Sequence, residues 1–223
     1  MKEIVNTLKQ MSGRYTYHII FRDWIEAMAL SIQNSCYLIH DSIWEEREKR
    51  YLNVMQKYTP EERSKFSQMM AMLTQEFEQD FQKGELRDIL GKIYMSENSG
   101  SKSLGQFFTP FHLSELCARL DLQFDHLGEN DQITLNEPSS GAGGMIIATI
   151  KVLMEKGIDY QRRLDIVAQD LDWNGVYMTY VQLSLLGAKA TVVQGDTLCE
   201  QFDPGKTPRN RILYTPMKMG VLI

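Results

Sequence analysis

The sequence predicts an α/β fold in which a parallel sheet follows a helical N-terminal domain. Two observations support this prediction. Up to about residue 95 the apolar residues recur at helical spacing, and after Asp131 short apolar or β-branched runs alternate with longer helical segments. We therefore expect a helical domain over residues 1–96, a linker over residues 97–105 and an α/β domain over residues 106–223.

The helical domain is predicted from two apolar stripes, which consist of Trp24, Ile25, Met28, Ala29 and Ile32, and of Phe66, Met69, Met70, Leu73, Phe77 and Phe81. Such aromatic and methionine stripes belong far more often to a protein core than to a ligand site, so we expect both to be buried. Between them, Thr59 is expected to cap a helix that has Pro60 at its first position and acids in its first turn.

The sheet is predicted from short apolar runs at residues 133–136, 164–169 and 189–194, which alternate with helical stretches at residues 145–155 and 173–186. This alternation favours right-handed crossovers between parallel strands. Ile212–Tyr214 is a candidate fourth short strand. A bare sheet edge after residue 194 would invite association, so we expect the helical domain or a second copy to cover it.

The segment Gln106 to Pro110 (QFFTP) joins the serine- and glycine-rich linker to a helical run at residues 112–120. Thr109 could cap that helix, with Pro110 at its first position. This structural role does not exclude contact with a ligand.

A glycine-rich turn, NEPSSGAGGM at residues 136–145, follows the first predicted strand and leads into an apolar helix. Gly141, Gly143 and Gly144 would let backbone amides approach a ligand at the positive end of that helix. A dinucleotide site is disfavoured, because Ile146 stands where the G-x-G-x-x-G pattern needs its third glycine. An ordinary turn without a ligand remains open at this point.

Each predicted strand is followed by an acidic residue: Glu137, Asp170 and Asp196 in turn. Ligands of open α/β sheets bind beyond the carboxyl ends of the strands, so these acids can converge on one crevice. A single acid of this kind is usually a helix cap, and Asp170 or Asp172 could cap the helix near Trp173. Three acids in equivalent positions favour a site for a cationic small cofactor.

Composition limits the classes of function. The formal net charge of -5 excludes a global attraction to nucleic acid or to an anionic membrane. The single basic stretch is residues 204–223, which could be a solvated terminus or could contact phosphates. The three cysteines have neither disulfide nor zinc spacing, and we see no membrane span or signal segment, so we expect a cytoplasmic protein without a metal site.

Four motifs resemble those of the gamma-type adenine-specific (N6) DNA methyltransferases, in particular modification subunits of type I restriction systems. They are GQFFTP at residues 105–110, NEPSSGAGGM at 136–145, AQD at 168–170 and GDTL at 195–198. The resemblance covers residues 100–200 approximately. It implies a Rossmann-like methyltransferase sheet, S-adenosylmethionine as the cofactor, and DNA as a partner.

The resemblance also implies roles for individual residues. Phe107, Thr109 and Pro110 would line the methionine end of the cofactor. The acidic glycine loop, which comprises Glu137, Pro138, Gly141, Gly143 and Gly144, would hold its amino-acid moiety. Asp170 would bind the ribose hydroxyls, and Asp196 the adenine amine. No catalytic residue is assigned.

The sequence departs from this family at the acceptor site. The Asn-Pro-Pro-Phe/Tyr motif, which holds the target base, is absent. After Asp196, proline follows only Asp203, Thr207 and Thr215. The residues from Ile133 onwards are also too few for a full sheet, because each strand and crossover needs about 30 residues. We therefore expect an incomplete sheet and little or no activity from this chain alone.

Three functions remain open. The first is a DNA adenine-N6 methyltransferase or modification-subunit-like protein. The second is a non-catalytic protein that binds S-adenosylmethionine and acts as a regulatory or partner-binding protein. The third is a methyltransferase for another acceptor, with a partner completing the site. A homodimer or a specificity subunit could supply the missing parts.

Overall fold

The computed structural model describes residues 1–96, 108–121, 128 and 131–221. The N-terminal part is helical, with helices α1 (Lys2–Met11), α2 (Tyr17–Ser35), α3 (Ser42–Met55), α4 (Pro60–Lys83) and α5 (Ile89–Ser96). The rest alternates helices and strands, in the order α6 (Phe111–Asp121), β1 (Ile133–Glu137), α7 (Gly144–Glu155), α8 (Tyr160–Arg163), β2 (Leu164–Asp170), α9 (Trp173–Leu185), β3 (Lys189–Gln194) and β4 (Ile212–Tyr214).

Helix α4 begins where the sequence predicts. The Thr59 hydroxyl accepts a hydrogen bond from the Glu62 backbone N–H, and the Glu62 carboxylate accepts one from the Thr59 N–H, so both ends of a capping box are present. The helix ends at Gly84, whose φ of 69° suits a left-handed C-cap.

The predicted apolar stripes form a core. Trp24 is fully buried and its indole N–H donates to the Phe66 carbonyl at 3.1 Å, which joins α2 to α4. Met69 and Leu73 are also fully buried, whereas Phe81 at the end of the second stripe is 46% exposed. The core continues from these helices to α9, since α2 packs against α9.

The sheet confirms the predicted strands. Its order is β1-β2-β3-β4, with β1, β2 and β3 parallel and β4 antiparallel to β3. Helix α7 connects β1 to β2, and α9 connects β2 to β3, as expected of crossover connections. The N-termini of α7 and α9 consequently lie at the edge where β1 and β2 end.

The edge beyond β3 is covered by the chain itself. Strand β4 pairs with β3 through residues 191–193, so a second copy is not needed for this purpose. The helical part then satisfies backbone groups of β4: Arg47 donates to the Ile212 carbonyl at 3.2 Å, and the Tyr214 N–H donates to Gln33 Oε1 at 3.0 Å. The expectation of a covered edge is confirmed, but the main cover is a strand that turns antiparallel.

The predicted linker at residues 97–105 lies outside the described residues, so the division at that position stays a prediction. Among the helices that the structure does describe, none combines the length and the apolar character needed to cross a membrane.

Ionisation of Tyr160 is expected to lower the free energy of unfolding at alkaline pH. The residue is 3% exposed, its hydroxyl donates to the Leu186 carbonyl, and burial raises its pKa from 10.0 to about 12. A pKa raised on folding means that the stabilisation is complete below pH 10 and is lost as the pH rises through 12. We expect Tyr160→Phe to lose less stability than wild type over this range, by up to about 3 kcal/mol in urea unfolding.

Tyr51→Phe is the matched control for this measurement, because Tyr51 is a half-buried tyrosine on α3. Parallel pH profiles for Tyr160→Phe and wild type would contradict the role given to Tyr160.

Candidate functional site

The glycine loop between β1 and α7 is held in a tight turn. Gly141 and Gly143 have φ values of 52° and 91°, a region that side chains other than glycine rarely adopt. The Ser140 N–H donates to the Gln169 carbonyl at 2.9 Å, and the Gly143 N–H donates to the Ser140 carbonyl at 2.7 Å. The loop is therefore fastened to the end of β2.

Phe108 packs on this loop. A Cβ placed on Gly141 would lie 2.9 Å from the Phe108 ring, so the ring approaches the loop as closely as a glycine allows. Its other neighbour is Tyr94 of α5, at 5.3 Å between ring centroids. Phe108 thus connects the glycine loop to the helical part of the protein.

Asp170, at the end of β2, binds the same loop. One carboxylate oxygen accepts from the Gly141 N–H at 2.7 Å, and the other accepts from the Asp172 N–H at 2.8 Å. Burial raises the pKa of Asp170, while these backbone hydrogen bonds oppose the shift. Gly175 allows this approach, because a Cβ there would lie 2.8 Å from the Asp170 Cγ. Asp172, rather than Asp170, caps α9.

These elements surround a cavity of about 390 Å³, the loop cavity, whose walls are the glycine loop, Phe108, Thr109, Asp88, Asp170 and Gly175. Its size lies within the range of small-molecule sites. Gly144 and Met145, the first residues of α7, face it, and the N-cap of α7 supplies no side-chain hydrogen bond. Their amides have no acceptor within the helix and can serve an anionic group.

Sequence reasoning missed Asp88, which lines this cavity, and Gln182, which holds Asp88 in place; it also missed Ser114 and Gly175 in the cavity wall. Gln182 is fully buried and makes four hydrogen bonds. Its Nε2 donates to Asp88 Oδ1 at 2.8 Å and to the Ala142 carbonyl at 2.6 Å, and its Oε1 accepts from the N–H groups of Ile89 and Leu90. Gln182 therefore joins α9, the glycine loop and the start of α5. The sequence offers one signal for Gln182, which is a glutamine within the mostly apolar run of α9.

The predicted site residues separate into groups. Those that line the loop cavity are Thr109, Gly141, Gly144 and Asp170. Pro110 lines an adjoining cavity, which shares Asp88, Phe108 and Thr109 with the loop cavity. Phe107 lies outside the described residues. Those that do not line the loop cavity are Glu137, Pro138, Gly143 and Asp196.

Local hydrogen bonds explain where the other two strand-end acids lie. The Glu137 carboxylate accepts from the Ser139 N–H at 3.2 Å, and Asp196 accepts from the Leu198 N–H at 3.0 Å, so each serves its own turn. Gly143 packs against Thr179 of α9, and a Cβ at position 143 would lie 3.2 Å from the Thr179 hydroxyl. Of the three acids expected to converge, only Asp170 faces the cavity.

Helix α6 starts one residue later than the predicted cap implies. The Pro110 carbonyl accepts from the N–H groups of Leu113 and Ser114, so Pro110 precedes the helix instead of occupying its first position. Thr109 is consequently left facing the loop cavity.

The basic stretch at the C-terminus is offset by acids. Its four cations form ion pairs, which are Lys206 with Asp203, Arg209 with Asp41, Arg211 with Glu200, and Lys218 with Asp165. The charge of this stretch is thus shared with neighbouring carboxylates. Across the described ranges, no group of three or more histidine, cysteine or acidic side chains could hold a metal ion.

The arrangement is that of an α/β fold with a cavity of small-molecule size beyond the carboxyl ends of its first two strands. Residues 85–215, more than half of the chain, match the family described as N-6 DNA Methylase. The chain belongs to this family, whose cofactor is S-adenosylmethionine. The match begins three residues before Asp88 and therefore includes the start of α5.

Two solved structures match this chain at low sequence identity. A Listeria monocytogenes protein described as a class I S-adenosylmethionine-dependent methyltransferase has 14% identity and a TM-score of 0.48, over 91% of this chain and 55% of that one. The DszA carbon methyltransferase has 13% identity and a TM-score of 0.30, over 85% and 61%. The chain spans less than two thirds of the length of either. No curated protein sequence matches it.

The residues around the loop cavity fit S-adenosylmethionine. The glycines at positions 141 and 144 leave space that a Cβ would reduce, and Asp88 and Asp170 supply negative charge for a cationic molecule. The amides at the start of α7 suit a carboxylate.

Proposed function

We propose that this protein binds S-adenosylmethionine in the loop cavity and takes part in methyl transfer to the N6 amine of adenine in DNA. The observation that carries the proposal is the convergence of Thr109, Gly141, Gly144 and Asp170 on one cavity. These residues come from three of the motifs that resemble those of adenine-N6 methyltransferases: Thr109 from GQFFTP, Gly141 and Gly144 from NEPSSGAGGM, and Asp170 from AQD. Membership of that family supports DNA as the substrate.

Within this proposal, Asp170 would bind the ribose hydroxyls with the acceptor capacity that its two backbone hydrogen bonds leave. Thr109, Phe107 and Pro110 would lie along the methionine end, and the glycine loop would form the floor. Glu137, Pro138, Gly143 and Asp196 would act on the cofactor only after their turns rearrange, because they lie outside the loop cavity. Phe108 would exclude water from the floor by covering Gly141.

When bound, S-adenosylmethionine supplies a methyl group activated by its positively charged sulfur. The chain's own residues would hold the cofactor in place and would pair its charged groups with the carboxylates and backbone amides of the loop cavity. The acceptor side is different, because the Asn-Pro-Pro-aromatic motif is absent from the sequence. We propose that a specificity subunit or a second copy completes the acceptor site.

A cofactor-binding test examines the first half of this proposal. Asp170→Ala should weaken the binding of S-adenosylmethionine at least about tenfold in calorimetry, because a carboxylate hydrogen bond to the ligand is lost and the loop loses its anchor. Asp165→Ala is the matched control, since Asp165 lies on the same strand and pairs with Lys218 instead. Equal affinities for wild type and Asp170→Ala would remove the cofactor assignment.

Transfer of a labelled methyl group to DNA separates the DNA methyltransferase from the non-catalytic protein that binds S-adenosylmethionine. The missing acceptor motif favours a chain that binds the cofactor without turnover when it is alone, which is the regulatory or partner-binding alternative. Turnover that appears only with a second polypeptide would support the methyltransferase. Turnover by the purified chain alone would contradict the incomplete acceptor site.

A further inference from the structure

Asp88 places a carboxylate oxygen inside the loop cavity. The residue precedes α5 and caps it, because Oδ1 accepts from the Gly91 N–H at 2.8 Å. The same oxygen also accepts from Gln182 at 2.8 Å. Asp88 is only 7% exposed, and it lines both the loop cavity and the adjoining cavity, so its carboxylate reaches its surroundings through these two cavities.

Two glycines surround the second oxygen, Oδ2. A Cβ on Gly91 would lie 1.9 Å from it, and a Cβ on Gly144 would lie 3.5 Å from it. The first distance excludes any side chain at position 91 without movement of Asp88. Within the described part of the chain, no hydrogen-bond donor is recorded for Oδ2. Gly144 lines the loop cavity and Gly91 lines the adjoining one, so Oδ2 lies close to a glycine of each cavity, beside the start of α7.

The charge of Asp88 is poorly compensated. Burial raises the pKa of Asp88, and the hydrogen bonds from Gln182 and Gly91 and the field of Lys92 oppose that shift. Lys92 lines the adjoining cavity, as Asp88 does, but it does not line the loop cavity. A cationic group of a ligand would satisfy Oδ2 and restore part of the interaction with water that burial removes.

The loop cavity thus presents opposite charges close together. Oδ2 of Asp88 is an acceptor, while the amides of Gly144 and Met145 are donors at the positive end of α7. An amino acid carries an ammonium and a carboxylate on one carbon, so it matches such a pair. A ribose or an adenine does not require both.

We propose that Asp88 Oδ2 binds the α-ammonium of the methionine moiety of S-adenosylmethionine, while the start of α7 receives the adjacent carboxylate. This inference rests on the proposed function and makes it more specific. It gives to Asp88 a role that the family resemblance would give to Glu137, whose carboxylate lies outside the cavity and serves Ser139.

The test compares Asp88→Asn with wild type on two ligands that differ in the amino-acid moiety. S-adenosylhomocysteine contains this moiety, whereas methylthioadenosine lacks it, and both are uncharged at sulfur. Asparagine caps helices about as well as aspartate, so α5 should be retained. We expect Asp88→Asn to bind S-adenosylhomocysteine about 10- to 100-fold more weakly and methylthioadenosine within about threefold of wild type.

A third ligand assigns the effect to the ammonium. Decarboxylated S-adenosylhomocysteine keeps the amine, lacks the carboxylate and, like the first two ligands, is uncharged at sulfur, and its affinity should also fall in Asp88→Asn. Asp41→Asn is the matched control, because Asp41 caps α3 and does not line the loop cavity, and it should leave all three affinities unchanged.

The outcomes are distinguishable. Unchanged binding of S-adenosylhomocysteine by Asp88→Asn would overturn the inference and leave the proposed function intact. An equal loss for all three ligands would also overturn it, since it would reveal a purely structural effect of Asp88. If wild type binds none of the ligands, the proposed function itself is wrong and the inference fails with it.

Discussion

Replacing Gln182 with leucine is expected to lower the free energy of unfolding by about 3 to 5 kcal/mol. Leucine has a similar volume but cannot make the four hydrogen bonds of the glutamine. The N–H groups of Ile89 and Leu90 and the Ala142 carbonyl would lose a buried partner, and each unsatisfied group costs about 1 to 3 kcal/mol. Urea unfolding measures the loss, and thermal melting should show a decrease on the order of 10 °C.

Gln194→Leu is the control for this prediction. Gln194 is half-buried and donates one surface hydrogen bond, to the Leu171 carbonyl, so we expect a loss below about 1 kcal/mol. Similar losses for the two variants would show that the buried network around Gln182 does not hold α5 and the glycine loop together.

Gly141→Ala is expected to weaken the binding of S-adenosylmethionine by more than about tenfold, and Gly157→Ala is expected to leave it unchanged. The two glycines have φ values of 52° and 69°, so the alanine substitution strains the backbone in both, at a cost of about 1 to 2 kcal/mol. The surroundings differ. A Cβ on Gly141 meets the Phe108 ring at 2.9 Å, whereas a Cβ on Gly157 meets nothing within 4 Å.

Comparison of Gly141→Ala with Gly157→Ala separates the effect of backbone strain from the effect of displacing the Phe108 ring. Both variants should lose some stability in urea unfolding, but only Gly141→Ala should displace Phe108 from the wall of the loop cavity. Calorimetry of cofactor binding at matched protein stability measures the difference. Equal affinities in the two variants would contradict the role of Phe108 as a cavity wall.

Much of the fold follows from local patterns. The strands at residues 133–137, 164–170 and 189–194 agree with the prediction, because each is a short apolar or β-branched run that lies between helical segments in the sequence. The α4 cap was predictable because a capping box is a contact between residues three positions apart. The direction of β4 was not, because it depends on long-range contacts with Gln33 and Arg47 that a three-residue strand does not encode.

The site was predictable only in part, for a related reason. Gly141, Gly144, Thr109 and Asp170 lie in motifs, and the cavity includes all four. The orientation of Glu137 depends on competition between its own turn and the crevice, which residue type and spacing cannot decide. Asp88 reaches the cavity because Gln182, more than 90 residues away in sequence, holds the start of α5 beside the loop.

One wall of the loop cavity depends on helix α5, so cofactor binding is coupled to the local stability of that helix. Asp88 belongs to the start of α5, and Phe108 rests on Tyr94 of the same helix, so a local opening that detaches α5 would also dismantle one side of the loop cavity. A ligand that binds only the closed form suppresses such openings in proportion to its concentration relative to its Kd. Cofactor occupancy would therefore suppress the detachment of α5 from the glycine loop, so the local stability of this helix would rise with the concentration of the cofactor.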